Sequence, residues 1–156
     1  MDHILDLVLW TYPSWSHALV RLALGVVFVA HGSQKVFGWF GGPGLKATIQ
    51  MFQQYMKVPP PATVTAALIE LLGGLAMLLG LLARPAALGL IVVMLVAIVK
   101  VHGRHGFFIN FSGTPGKGHG FEFNFVLIAM ALSVLIGGAG VLSIDRAIWL
   151  ALGRGD

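Results

Sequence analysis

The sequence predicts an all-α fold, an integral membrane four-helix bundle with short interfacial amphipathic helices. Three observations carry this. Hydrophobic residues make up 57% of the 156 residues and charged residues only 10%, with a mean hydropathy of +0.87, far from the balance of a soluble domain. Four apolar runs, each near the roughly 20 residues that cross a bilayer, are separated by Pro- and Gly-rich breaks. Two further stretches place apolar residues at helical spacing but are too polar to span. One bundle over residues 1–156 uses the whole length and leaves no room for a separate soluble domain.

Residues 2–12 put Ile4, Leu5, Val8, Leu9 and Tyr12 on one face. They predict a helix lying in the interface rather than a signal peptide, whose basic start and small-residue cleavage site they lack. Pro13 and Ser14 end it, and Ser14 or Ser16 caps the first span, over about 16–37. Arg21 lies one turn inside that span, placed to snorkel to the headgroups. Trp10, Tyr12 and Trp15 mark this surface, side A, while Trp39 and the glycine-rich break at 41–44 mark the opposite one, side B.

Residues 45–57 set Leu45, Ile49, Phe52 and Met56 against Lys46, Gln50, Gln53 and Lys57, which predicts a second interfacial helix on side B. The prolines at 59–61 forbid its continuation. The second span covers about 63–82, with one charge, Glu70, and a surface of Gly73, Gly74, Ala76 and Gly80 suited to close helix contact. Residues 83–85 read as a tight turn, and the third span, about 86–102, ends at Lys100 and His102 on side B. The loop 103–120 carries Phe107, Phe108, Ile109 and Phe111 amid glycines, which suits an interfacial anchor. The fourth span, about 121–139, leaves the membrane on side A before Asp145 and Trp149.

With no cysteine, the chain forms no disulfide and holds no Cys-ligated zinc or iron–sulfur cluster. The net charge of +4 comes from basic residues scattered at helix ends and loops, which reads as interface anchoring and not as a nucleic-acid footprint.

Aligned by depth, His31 and Glu70 each lie roughly 10 Å below side B, at about 1.5 Å of rise per residue. Lys35, Lys100, His102, Glu122 and Asn124 fall in the same half, and the side A half carries almost nothing ionisable. Charges there are costly unless paired, so Glu70 is expected to pair with His31, Lys35 or Lys100, and Glu122 with another cation. His31 and Lys35, one turn apart, share a face with Gly25, Phe28 and Gly32.

These residues suggest a pocket in the side B half, roofed by the 39–61 segment and the aromatic loop. Apolar walls with a few convergent donors suit an amphipathic molecule such as a quinone. The same residues would also serve simply to lock four helices together. Haem would need two facing histidines on different spans, which His31 and His102 offer, whereas His105 and His119 lie in flexible Gly-rich surroundings. A metal site from His31, Glu70, His102 and Glu122 is disfavoured by the neighbouring lysines and by the absence of HxxxH or ExxH spacing.

Three stretches, HGSQKVFGWFGGPG at 31–44, IELLGGLAMLLGLLARPAA at 69–87 and GHGFEFNFVLIAMALSVLIGGAGVLSID at 118–145, together resemble the DoxX family of small four-span bacterial membrane proteins. The resemblance covers nearly everything between Arg21 and Asp145. It implies a four-helix membrane bundle in or near membrane oxidoreductase systems, the family name deriving from a subunit of thiosulfate:quinone oxidoreductase or terminal oxidase complexes. The family signature falls on His31, Gly32, Lys35, Phe37, Gly38, Glu70, Arg84, Pro85 and Glu122.

The expected function is that of a quinone- or lipophilic-ligand-binding subunit of a membrane oxidoreductase system, in the bacterial cytoplasmic (inner) membrane. His31 and Glu70 are the candidate catalytic residues, with His31 as proton donor or acceptor, and Lys35, Lys100, His102, Glu122 and Asn124 the candidate ligand-binding residues. Quinone is the expected cofactor, and no metal is expected. Expected partners are the bilayer, other membrane, periplasmic or cytoplasmic redox proteins, and a further copy of the chain. Two alternatives stand beside this: a non-enzymatic scaffold or assembly factor, and a small-solute transporter, the latter disfavoured by spans without central Gly or Pro breaks. Basic residues divide evenly between the two sides, and the termini are placed in the cytoplasm from the resemblance and the arginine at 84.

Overall fold

A computed structural model describes residues 2–154. The chain runs through α1 (Asp2–Leu9), α2 (Trp15–Phe37), α3 (Gly44–Met51), α4 (Pro60–Leu79), α5 (Ala83–Ala97), α6 (Glu122–Gly137) and α7 (Ile144–Ala151). Three stretches, Trp15–Phe37, Pro60–Leu79 and Ala83–His105, are long and apolar enough to cross a membrane, and α6 is a shorter apolar helix. Helices α2, α4, α5 and α6 close a ring in that order, each packing on its neighbours, with Leu24, Phe28, Met77, Leu90, Leu127 and Val134 in its centre. Leu68, Leu72, Val92, Leu95 and Val99 point outward and are exposed. An apolar exterior around an apolar core is the signature of a bundle solvated by lipid.

The contact between α2 and α4 is closest where side chains vanish. A Cβ on Gly32 would run into the backbone of Leu71, one on Gly74 into that of Val29, and one on Gly25 into Leu78. Such small-residue interdigitation lets membrane helices approach until dispersion forces hold them.

Several boundaries differ from expectation for reasons visible in the hydrogen bonds. The interfacial helix expected over 2–12 stops at Leu9 because the following backbone is engaged elsewhere: the Tyr12 N–H donates to Gly137 O (2.8 Å), and Thr11 Oγ1 accepts from the Gly140 N–H (2.6 Å). Helix α4 begins at Pro60, since a proline in the first turn gives up only an N–H that has no helical partner. It ends at Gly80, in the left-handed region (φ +63°).

The tight turn therefore lies at 80–82, not at 83–85. Asp145 accepts from the N–H groups of Leu82 (2.7 Å) and Ala83 (2.9 Å), so α5 starts before Pro85 and carries that proline harmlessly in its first turn. On side B the helix expected over 45–57 continues past α3 as a π-helical turn, Phe52–Met56, and α5 likewise widens into one, Ile98–His102. Wide turns of this kind re-aim side chains by inserting a residue into the helical repeat.

Candidate cavity in the side B half

A cavity of about 650 Å³ occupies the side B half of the ring. Both π-helical turns face it, through Phe52 and Met56 on one side and Lys100 and His102 on the other. Its walls are otherwise aliphatic, drawn largely from α4 and α5: Ala62, Ala66, Ile69, Val92, Val93 and Val96. Joined by the short turn on side A, these two helices flank the cavity toward side B, and the exposed Val92 and Val96 show that it borders the lipid-facing surface between them. Val58 and Ile109 contribute from the segments that cover it.

Of the residues expected to form the site, His31, Lys35, Glu70, Lys100, His102 and Asn124 all line this cavity. Glu70 is buried at 3% exposure and takes Lys35 as its ion-pair partner, linking α4 to α2. Lys35 is thus the one of the three expected cations that pairs with Glu70, and the His31 ring lies beside Phe123, with centroids 6.4 Å apart. Asn124 is buried, and its amide nitrogen donates to the Met94 sulfur at 3.3 Å.

Glu122 does not line the cavity. Rather than pairing with a cation, its carboxylate accepts the Ile109 N–H (3.1 Å), while its own N–H donates to Phe107 O (2.8 Å). At the first turn of α6 it clamps the aromatic loop, a position where a carboxylate also meets the positive end of the helix. Phe107 packs edge-on against Phe121 and Phe125, and Asn110 closes the loop by donating to Thr114 O (3.2 Å) and Lys117 O (2.7 Å).

His119 joins the lining without having been expected there, since its Gly-rich flanks suggested mobility. The hydrogen bonds fix its chemistry. His102 Nδ1 is 2.9 Å from His119 O, and a carbonyl only accepts, so His102 carries its hydrogen on Nδ1 and leaves Nε2 as acceptor when neutral. His119 Nδ1 accepts from the Asn110 N–H (3.3 Å), so its Nε2 is the donor. Among the described residues no group of three or more His, Cys, Asp or Glu is arranged to hold a metal ion.

In the side A half, expected to carry almost nothing ionisable, the charged groups Arg21 and Asp145 are buried. Arg21 is 1% exposed and does not snorkel. Its guanidinium donates to Ala139 O (2.9 Å), Leu78 O (2.8 Å), Leu142 O (3.0 Å) and Met77 O, gathering carbonyls at the end of α4 and in the 139–142 turn, of which Met77 O also accepts the Gly80 N–H (3.3 Å). A fork of five donors suits this as no lysine would. Asp145, equally buried, caps α5 beside it. Burial pushes the Asp145 carboxyl above the usual carboxylate range, against the pull of the Ala83 and Leu82 N–H groups and of Arg21 and Arg84. Arg84 ties down the N-terminal segment, donating to Leu7 O (3.0 Å) and Ile136 O (2.8 Å) with Trp10 beneath its guanidinium.

Comparison with known proteins agrees with this architecture. The DoxX family model matches residues 17–103. An uncharacterized membrane protein of Mycobacterium tuberculosis (strain ATCC 25618 / H37Rv) is 31% identical over 153 residues, covering 87% of this chain and 89% of its own length. No solved structure matches the chain. A family match over more than half of the sequence, a membrane-protein relative along nearly all of it, and a bundle of apolar helices lead to one conclusion: the chain is a multi-pass membrane protein and belongs to the DoxX family.

Proposed function

We propose that the side B cavity binds a lipid-soluble amphipathic molecule of the quinone class, and that the chain is the ligand-binding subunit of a membrane oxidoreductase system. The observation that carries this reading is the Lys35–Glu70 pair set into an aliphatic cavity of about 650 Å³, within the range of small-molecule sites. A quinone ring needs apolar walls for its faces and donors for its two carbonyls. Lys35, His31 and the Nε2–H of His119 are donors at this cavity, and Glu70 holds Lys35 in place. A bound quinone would supply two-electron redox chemistry, for which this cysteine-free chain has no group of its own. His31 is the residue assigned to exchange a proton with the bound ring.

A structural reading has one observation in its favour. Lys35 and Glu70 bridge the same two helices, α2 and α4, that Gly25, Gly32 and Gly74 already press together, so the pair also serves as a lock within that contact. The two readings separate experimentally. Protein purified in mild detergent is extracted and its bound small molecules identified by mass spectrometry, beside its visible absorption spectrum. A stoichiometric quinone that is lost in Glu70→Gln while the protein remains folded supports the ligand site; wild-type protein that carries none, and binds none when it is added, refutes it.

A further inference from the structure

Beside the cavity lies a second hollow of about 430 Å³ on the outer, lipid-facing side of the α4–α5 pair, lined by Leu68, Leu72, Gly73, Ala76, Pro85 and Gly89 among others. Thr65 and Ile69 belong to the lining of both. The two spaces thus adjoin along one face of α4, with Thr65 and Ile69 between them. The groove follows α4 from Thr65 to Ala76, eleven residues or about 17 Å at 1.5 Å per residue, and leads from the cavity toward side A. Glycines take the place of side chains along its floor: a Cβ on Gly89 would come within 3.2 Å of Ile69, and one on Gly73 within 3.1 Å of Leu90.

We propose that the cavity and the groove form one bipartite site: the polar head of the ligand occupies the cavity, and its hydrocarbon chain passes Thr65 and Ile69 to lie in the groove between α4 and α5. This rests on the cavity being a ligand site, and it adds the class of ligand, a ring or head carrying a long isoprenoid or alkyl chain. Three observations converge on that occupant. The groove has no polar group apart from Thr65, so it offers nothing to a head and only dispersion to a chain. It adjoins, across Thr65 and Ile69, a cavity whose polar residues sit toward side B, which orients an amphiphile with its head near that surface and its chain along the membrane core. The cavity borders lipid between α4 and α5 at Val92 and Val96, so a molecule dissolved in the bilayer reaches it sideways without crossing water. Gain from the chain comes from fit to the groove, because a chain leaving lipid for an apolar groove gains little from the hydrophobic effect.

The test compares two probes, a tail-less benzoquinone and the same ring bearing a decyl chain, on purified protein in lipid nanodiscs. The wild type is expected to bind the decyl probe on the order of tenfold more tightly than the tail-less one at equal concentration in the lipid phase. Ala76→Leu, which fills the groove from α4 at a position that does not line the cavity, is expected to erase that difference while leaving the tail-less probe's affinity unchanged. A decyl probe with a diazirine at the chain end is expected to label peptides from 68–76 or 81–89, with labelling displaced by unlabelled decyl probe. Equal binding of both probes, in wild type and Ala76→Leu alike, overturns the groove and leaves the head site standing. Labelling that competition does not reduce marks bulk lipid or a second copy of the chain in the groove and overturns it too. If neither probe binds, the head site itself falls, and the groove with it.

Discussion

Lys35 and Glu70 form one ion pair, yet the two halves of it are not equivalent, and removing them one at a time should cost very different amounts. The Glu70 side chain is 4% exposed and the Lys35 side chain 23%. In Lys35→Met the carboxylate stays behind, unpaired, in an aliphatic wall. A buried charge stripped of its partner costs about 3–5 kcal/mol. In Glu70→Gln the ammonium stays behind, but its flexible stem can carry it toward the cavity space it already touches, and the amide still offers an oxygen as acceptor. That variant should cost about 1–2 kcal/mol. The double variant, Lys35→Met with Glu70→Gln, buries no uncompensated charge and should recover at least about 1 kcal/mol relative to Lys35→Met. Thermal unfolding of the four proteins in one detergent, at roughly 2–4 °C per kcal/mol for a chain of this size, gives shifts that separate them. A Glu70→Gln protein as unstable as Lys35→Met, or a double variant worse than both, would refute the claim that Glu70 is the buried partner whose charge needs the lysine.

Arg21→Met should lower stability by about 3–5 kcal/mol, since it strands the carbonyls at 78, 139 and 142, and Arg21→Lys should recover only part of this, both read by melting in detergent. Gly32→Ala places a methyl against the Leu71 backbone and should cost about 1–3 kcal/mol, with α2 and α4 measurably further apart by spin-label distances. Because burial raises the Asp145 carboxyl, the folded form holds its proton more tightly than the unfolded one; stability should therefore fall as pH rises from the ordinary carboxylate value through the raised one, and a pH series of melts on Asp145→Asn should lose that slope. Asn110→Ala should open the aromatic loop to limited proteolysis between 110 and 117 without unfolding the helices.

How much of this was legible in the sequence depends on whether a feature is one-dimensional. The all-helical membrane fold was legible, because apolar run length and proline breaks are properties of consecutive residues. Depth was legible too, since a count from each helix end gives it; that count set His31 and Glu70 in the same half. Rotation about the helix axis was not, and neither was the choice among His31, Lys35 and Lys100 as the Glu70 partner. Glu122 shared the depth of the others but is turned to the loop, where the Ile109 N–H takes its carboxylate. His119 is brought to the cavity by a hydrogen bond between its ring and the Asn110 backbone, a local bond that composition does not announce. Arg21 was misread because an arginine near a helix start ordinarily reaches outward. Its acceptors lie 56 to 121 residues away, and only the closed ring places them beside it.

That separation along the chain has a consequence for how the protein is made. Arg21 enters the membrane with the first spanning helix, long before any of its acceptors exists. Met77 and Leu78 arrive with α4, which can satisfy half of the guanidinium, and the Gly25, Gly32 and Gly74 contacts favour that pairing as the first step of assembly. Ala139 and Leu142 come only after α6, and Asp145, which alone caps the start of α5, comes last. The closing of the bundle thus waits on residues 139–145, and until they arrive the first spanning helix carries a half-satisfied cation and α5 an uncapped start.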